Sequence, residues 1–290
     1  MHKDNYKTGI LLMITSSIGF ALMTVIIKYV KQFPLMEIVL FRSFPTIIII
    51  PIILCKRNIF IFGSNKAFLL LRGFLGVLDV ISSFYAYTHM PLTEAVAIQQ
   101  LSPFFVIILS NIFLKEKLYA HQIPIFLIAF MGGLMVIKPY GRIDLFPAMI
   151  CLLGTIFISA SHVTLRYLRL TDHSLVIVNY FAFITSLTSL TILLKQGSMV
   201  VPKPLDFLIL VLLGLVALFT QSALTKSYQM AQASLLQLYR YSTILFTSIF
   251  SFLFFKEVPD LLSLSGACLI VISGYLNYKL SSNLKIKEEY

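Results

Sequence analysis

Apolar runs of about 20 residues follow one another along the chain, broken at short intervals by Lys, Arg, Pro or Gly. That length suits an α-helix crossing a hydrocarbon core of roughly 30 Å at ~1.5 Å per residue. The pattern predicts ten spans, near 8–28, 34–55, 67–88, 92–114, 120–138, 144–165, 174–194, 205–226, 233–255 and 259–279. The gaps are only a few residues long and are marked by Pro34, Pro91, Pro139, Pro202, Pro204 and Pro259, which leaves no room for a soluble domain. The expected fold is an all-α integral membrane protein of ten transmembrane helices. Lys3 and Lys7 give the first run the look of a signal peptide. It lacks a small-x-small cleavage site and is followed by Lys28, so it reads as a retained span.

A repeat underlies the spans. Shifted by 141 positions, Tyr87 to Glu116 lies over Tyr228 to Glu257, and the two segments end alike in Phe113-Leu114-Lys115-Glu116 and Phe254-Phe255-Lys256-Glu257. One further apolar span follows each, and Gly133 falls on Gly274. Each unit has an odd number of spans, so the second copy enters the membrane the opposite way up. The expected organisation is two inverted five-helix repeats, residues 1–139 and 140–282, with a short cytoplasmic tail at 283–290.

Composition agrees with the pattern. Hydrophobic residues make up 58% and charged residues 12%, with mean hydropathy +0.91; a water-soluble domain carries about 25% charged residues. The net charge of +11 would suggest a nucleic-acid partner in a soluble protein. Here the Lys and Arg residues sit mostly in the gaps between spans, so no nucleic-acid partner is expected and the charge reports topology. Counted over alternate gaps, 13 fall on the side of the N terminus and 7 on the other, an excess that favours both termini in the cytoplasm. Cys55, Cys151 and Cys268 lie in or at the ends of apolar runs and form neither a disulfide framework nor a CxxC metal motif. No cofactor is implied.

The candidate chemistry is in the charged and polar residues that the spans retain. Arg240, within Tyr239-Arg240-Tyr241, lies in the ninth span about 10 Å from its inner end at ~1.5 Å per residue. A guanidinium at that depth costs roughly 2.5–3.5 kcal/mol on insertion scales, which marks it as a functional candidate. Gln237 is beside it, and the repeat pairs Arg240 with Gln99 on the fourth span. Pro103 interrupts that fourth span, where it deprives the Gln99 carbonyl of its usual donor and favours a kink. On the third span Arg72, Gly76, Asp79, Ser83 and Tyr87 share one face, with Arg72 and Asp79 about two turns apart and so beyond a direct pair. Arg42 lies in the second span; it is either a substrate contact or a snorkelling cation near Glu37. Glu94, at the start of the fourth span, is either an ordinary helix N-terminal carboxylate or a proton-coupling one. His89 and His162 lack metal-site spacing and read as isolated polar residues. No HExxH, GxGD, CxxC or Ser/His/Asp grouping supports an intramembrane enzyme.

These features together resemble the drug/metabolite transporter superfamily, specifically its EamA-type ten-span carriers, over essentially the whole chain. The resemblance is carried by Phe41-Arg42, Leu71-Arg72-Gly73, Pro91 with Ala95 and Pro103, Lys115-Glu116, Tyr239-Arg240-Tyr241, Lys256-Glu257 and Pro259, in that order. Leu71-Arg72-Gly73 and Tyr239-Arg240-Tyr241 look most like the S-adenosylmethionine uptake carriers of intracellular bacteria, which exchange that compound for its demethylated product. Similar motifs occur in members assigned to amino acids or riboflavin. The resemblance implies secondary-active transport of a small molecule across a bacterial inner membrane by alternating access; the side chains suit such a substrate, with Arg240 or Arg72 for a carboxylate, Tyr239 or Tyr241 for a planar ring, and Asp79 for a cationic group. A channel is the other class left open.

Overall fold

The computed structural model describes residues 5–90, 92–116, 122–137, 145–256 and 260–288. Among these residues the regular structure is helical, in twelve α-helices and one 3-10 turn: α1 Tyr6–Tyr29, α2 Leu35–Lys56, α3 Lys66–His89, α4 Leu92–Gln99, α5 Ser102–Leu114, α6 Gln122–Ile137, α7 Leu145–Tyr167, the turn Leu168–Leu170, α8 Ser174–Gln196, α9 Pro204–Met230, α10 Ala233–Arg240, α11 Ser242–Phe255 and α12 Leu261–Glu288. Helices occupy each of the ten expected stretches, and the fourth and ninth are each broken in two. By length and composition six uninterrupted or nearly uninterrupted segments are able to cross a membrane: Tyr6–Tyr29, Leu35–Lys56, Leu145–Leu170, Ser174–Gln196, Pro204–Met230 and Ala233–Phe255. Ser102–Leu114, Ile123–Ile137 and Leu261–Asn277 are shorter apolar helices. α12 runs on to Glu288, so most of the expected tail is helical.

Local signals set the helix ends. The Asn5 side chain accepts from the Thr8 N–H at 3.1 Å at the start of α1, and His173 Nδ1 accepts from the Leu175 N–H at 3.2 Å at the start of α8. α8 ends at Gly197 with φ +59°. α5 and α11 end instead on Lys115 and Lys256, both left-handed with φ of 54° and 56°, although a residue with a Cβ resists that conformation. The two lysines are 141 positions apart.

The helices pack in a regular set of pairs. α3 lies on α7 and α1 on α9; α2 lies on α8 and on α9, and α3 also on α8; α6 lies on α12, α5 on α7 and α11 on α1. The α6–α12 contact is close enough that a Cβ on Gly132 would come within 2.7 Å of the Gly266 carbonyl oxygen, as small residues allow between membrane helices. The largest buried apolar cluster joins Met13, Leu54, Leu69, Val106, Val163, Leu224, Tyr228 and Leu236 from seven helices. Outward, Leu11, Phe74, Phe113, Leu153, Phe183, Leu194, Leu208 and Leu253 stay exposed, the surface expected of helices whose solvent is lipid.

Candidate functional site

The two broken helices meet at their breaks. Pro103 occupies the first turn of α5, and the chain between α4 and α5 turns through Gln100 and Leu101 with the Leu101 N–H bonded to the Ile98 carbonyl at 3.0 Å. Proline offers no N–H, so the helical ladder fails there. The Gln100 carbonyl is taken by the Tyr241 hydroxyl, which donates to it at 3.0 Å from the break between α10 and α11. That second break contains no proline. Ser242 Oγ donates to the Tyr239 carbonyl at 2.6 Å and the Tyr241 N–H turns to the Leu238 carbonyl, so a side chain and a tightened turn replace the ladder. A continuous ninth span was expected; its interruption leaves the Arg240 end of α10 free of the next turn.

Arg240 sits at that end, half-buried. Its Nη1 donates to His162 Nδ1 at 3.0 Å and lies 3.5 Å from Ser102 Oγ. A guanidinium cannot accept, so Nδ1 of His162 does. The imidazole stacks on the Tyr228 ring at 5.1 Å between centroids and 17° between planes. Tyr228 in turn accepts at its hydroxyl from Gln237 Nε2 at 2.6 Å. Arg240, Gln237, Tyr228 and His162 therefore form one buried polar unit from α10, α9 and α7.

α3 contributes the second unit. Gln99 Nε2 donates to Ser83 Oγ at 2.9 Å, and Ser83 Oγ donates to Asp79 at 3.2 Å, so the helix before the break is tied to the acid. Asp79 is half-buried and within electrostatic reach of Arg240, Arg42 and Arg72. Arg72, two turns earlier, is 1% exposed. Its guanidinium carbon lies 4.2 Å from the centroid of the Phe181 ring on α8, while its Nε and Nη1 have no acceptor. Gly76 makes the room: a Cβ there would come within 2.6 Å of Phe181 Cε2 and 2.8 Å of Arg72 Nη1. On α2, Arg42 is half-buried and lines a small cleft with Ser43, Thr46, Phe181 and Gln221. Glu37 turns away from it, its Oε2 accepting from the Val200 N–H at 3.0 Å.

A third unit lies at the end of α5. Glu116 Oε1 accepts from Arg166 Nε of α7 at 2.9 Å, with both side chains under a tenth exposed. Glu116 Oε2 accepts from the Ala233 N–H at 3.0 Å and faces the Ser234 N–H at 3.4 Å, so the same carboxylate caps the N terminus of α10, the helix that carries Arg240. Arg166 Nη1 reaches the Tyr228 and Gln229 carbonyls at 3.4 and 3.5 Å.

Of the residues singled out from the sequence, Arg42, Arg72, Asp79, Gln99, Gln237 and Arg240 are brought into this interior region. Tyr241 is 1% exposed and engaged across the two breaks, and Tyr239 is 8% exposed, so neither presents an open ring face in this conformation. The Tyr87 and Glu94 side chains lie outside the described residues, as do Pro91, Glu257 and Pro259. His162, read as isolated, is instead the partner of Arg240. Phe181 gained its place only through tertiary packing, whereas Ser83 already stood on the polar face of the third span and the repeat overlay had marked Tyr228 and Glu116 as segment ends. Among the described residues no group of three or more His, Cys, Asp or Glu is placed to hold a metal.

The model of the EamA-like transporter family matches residues 7–138 and again residues 145–279. The pseudopaline exporter CntI of Pseudomonas aeruginosa is 32% identical over 274 residues, covering 93% of this chain and 95% of that protein. The S-adenosylmethionine uptake transporter of Rickettsia prowazekii is 23% identical, covering 98% and 97%. Human solute carrier family 35 member G1 is 26% identical, covering 92% and 77%. A crystal structure with 14% sequence identity superposes with TM-score 0.85 over 97% of this chain and 99% of the other, which shows a shared fold.

Proposed function

The chain belongs to the EamA-like transporter family, and we propose that it carries a small, carboxylate-bearing organic metabolite across the inner membrane by secondary-active alternating access. It is a multi-span membrane transporter and not an enzyme. The carrying observation is that Arg42 on α2, Arg72 on α3 and Arg240 on α10 all lie within electrostatic reach of the Asp79 carboxylate. Guanidiniums are permanent cations and suit carboxylates geometrically, and inside a membrane protein such groups mark substrate paths.

The mechanism rests on two inverted halves, 1–139 and 140–282, rocking about the site. Four observations support it. The family model matches twice along the chain. The helix breaks fall at Gln100 and Tyr241, and the left-handed lysines at Lys115 and Lys256, in both cases 141 apart. The packing pairs also exchange under the same relation: α3 on α7 answers α9 on α1, α2 on α9 answers α8 on α3, and α5 on α7 answers α11 on α1. In such carriers interrupted helices line a site near the bilayer midplane. Arg240, Arg72 and Arg42 receive the carboxylate, Asp79 and Gln99 a cationic or amide group, and Gln237, Tyr239 and Tyr241 hold α10 and its break in register. The excess of Lys and Arg on one side supports cytoplasmic termini.

One finer reading is S-adenosylmethionine uptake, supported by Leu71-Arg72-Gly73, by Tyr239-Arg240-Tyr241 and by the Rickettsia relative, and the charge count of the site given below weighs against it. The more similar Pseudomonas exporter favours a second reading, outward transport of another small metabolite. Flux of labelled S-adenosylmethionine and labelled amino acids in cells expressing the protein, competed by unlabelled amino acids, S-adenosylhomocysteine and riboflavin, tests the proposal. Carboxylated compounds compete and Arg240→Ala reduces the flux. Competition by riboflavin alone, or full flux in Arg240→Ala at equal membrane abundance, contradicts it.

A further inference from the structure

We infer that the substrate is a net anion, an amino-acid-like compound whose carboxylates outnumber its cationic groups, and that Arg72 with Arg42 is the pair that receives its excess carboxylate. The inference rests on the carboxylate reading above and narrows it.

The first argument is hydrogen-bond satisfaction. Arg240 Nη1 is already committed to His162 and Ser102. Arg72 is the largest of the fully buried side chains, yet its Nε and Nη1 have no acceptor. Buried donors are nearly always paired, and a charged donor left alone is heavily penalised. Phe181 covers the guanidinium with a ring face, which attracts the cation but supplies no hydrogen-bond acceptor on the edge where Nε and Nη1 lie. Gly76, by lacking a Cβ, lets Nη1 and the Phe181 ring pack directly against the α3 backbone. The same Phe181 ring lines the cleft that Arg42 enters from α2, together with the neutral polar groups Ser43, Thr46 and Gln221. Two cations on one aromatic wall, one of them with vacant donors, form an anion site.

The second argument is charge balance. Among the described residues Asp79 is the one carboxylate within electrostatic reach of Arg42, Arg72 and Arg240. Among the described residues, three guanidiniums against one carboxylate leave two positive charges. A zwitterionic amino acid brings one charge of each sign and leaves that excess unchanged. S-adenosylmethionine, with its carboxylate, ammonium and sulfonium, adds to it. A compound with two carboxylates and one ammonium halves it and one with three carboxylates and one ammonium removes it, and in a site screened from water this difference is not hidden by solvent.

Ligand binding to the purified full-length protein in detergent, ranked by titration and by thermal-unfolding shift, tests this. The probes are nitrilotriacetate (three carboxylates, one amine), glutamate, methionine and S-adenosylmethionine. Nitrilotriacetate ranks first and S-adenosylmethionine last, separated by at least roughly tenfold. Arg72→Gln and Arg42→Gln each weaken nitrilotriacetate at least roughly tenfold and compress the ranking, whereas Lys195→Gln at the outer end of α8 leaves it unchanged. Arg42 is only half-buried, so its variant reports if Arg72→Gln does not accumulate, and the ranking of the unaltered protein decides the matter if neither does. Tightest binding of methionine or S-adenosylmethionine overturns the net-anion inference while leaving carboxylate transport standing. Binding of none of the four overturns both.

Discussion

Glu116→Gln is the most informative single perturbation of the fold, because one carboxylate joins three helices. It ends α5, pairs with Arg166 of α7 at 2.9 Å, and accepts from the first N–H groups of α10 at 3.0 and 3.4 Å. Glutamine keeps the length and one acceptor, so the cap on α10 is weakened rather than removed. The charge is lost, and Arg166, 5% exposed, loses its 2.9 Å carboxylate partner while its Nη1 keeps the Tyr228 and Gln229 carbonyls at the edge of hydrogen-bond range. Breaking a buried pair from one side costs about 3–5 kcal/mol, and weakening a charged cap adds a few tenths to ~1. A loss of roughly 3 kcal/mol lowers Tm by roughly 6–12 °C at ~2–4 °C per kcal/mol. The assay is a double-mutant cycle with Arg166→Met, followed by thermal unfolding in detergent. Since the double variant removes both charges, its loss falls short of the summed single losses by at least ~2 kcal/mol. Strict additivity, or a Glu116→Gln shift below ~1 °C, would refute the view of Glu116 as the joint between α5, α7 and α10.

Three further outcomes follow from the geometry. Tyr241→Phe keeps the ring but strips the Gln100 carbonyl of its donor, at a loss of ~1–2 kcal/mol in unfolding experiments; an unchanged protein means the two breaks do not depend on each other. Gly76→Ala places a methyl against Phe181 and Arg72 Nη1, so it reduces transport more than tenfold while overpacking costs about 1–3 kcal/mol; normal flux removes Arg72 from the site. His173, in the turn before α8, has its pKa lowered by partial burial and then by Lys226 and Arg57. Its folded value is below the ordinary imidazole value of 6.5, so its contribution is present above 6.5 and is lost as pH falls from there through the folded value. His173→Asn, which retains the acceptor for the Leu175 N–H, flattens stability against pH over that window, and a slope equal to the parent's excludes His173 as its source.

Much of this architecture was legible in the chain, for physical reasons. Lipid imposes long apolar helices, so the ten stretches stand out, and Arg42, Arg72, Asp79 and Arg240 stand out within them as charges with no place in hydrocarbon. Lys115 and Lys256 anchored the repeat, and they prove to share an unusual backbone conformation. Pro103 announced the first break, but nothing comparable announces the second, where Ser242 and Tyr241 compete for backbone groups only in the folded arrangement. His162 was misjudged because its meaning comes from Arg240, 78 positions away. Tyr241 looked like a stacking surface and instead uses its hydroxyl. The vacancy at Arg72 belongs to the same kind: a sequence shows that a cation is present, and only packing shows which of its donors lack acceptors.

Counterflow in proteoliposomes tests the central claim most directly. Vesicles reconstituted with the protein are loaded with unlabelled compound, the one that binds tightest in the ligand ranking, and entry of the labelled compound is followed. A carrier with one site shared between two halves accelerates entry over empty vesicles, and Arg72→Gln abolishes the acceleration. Equal entry into loaded and empty vesicles, or an acceleration that survives Arg72→Gln, would contradict it.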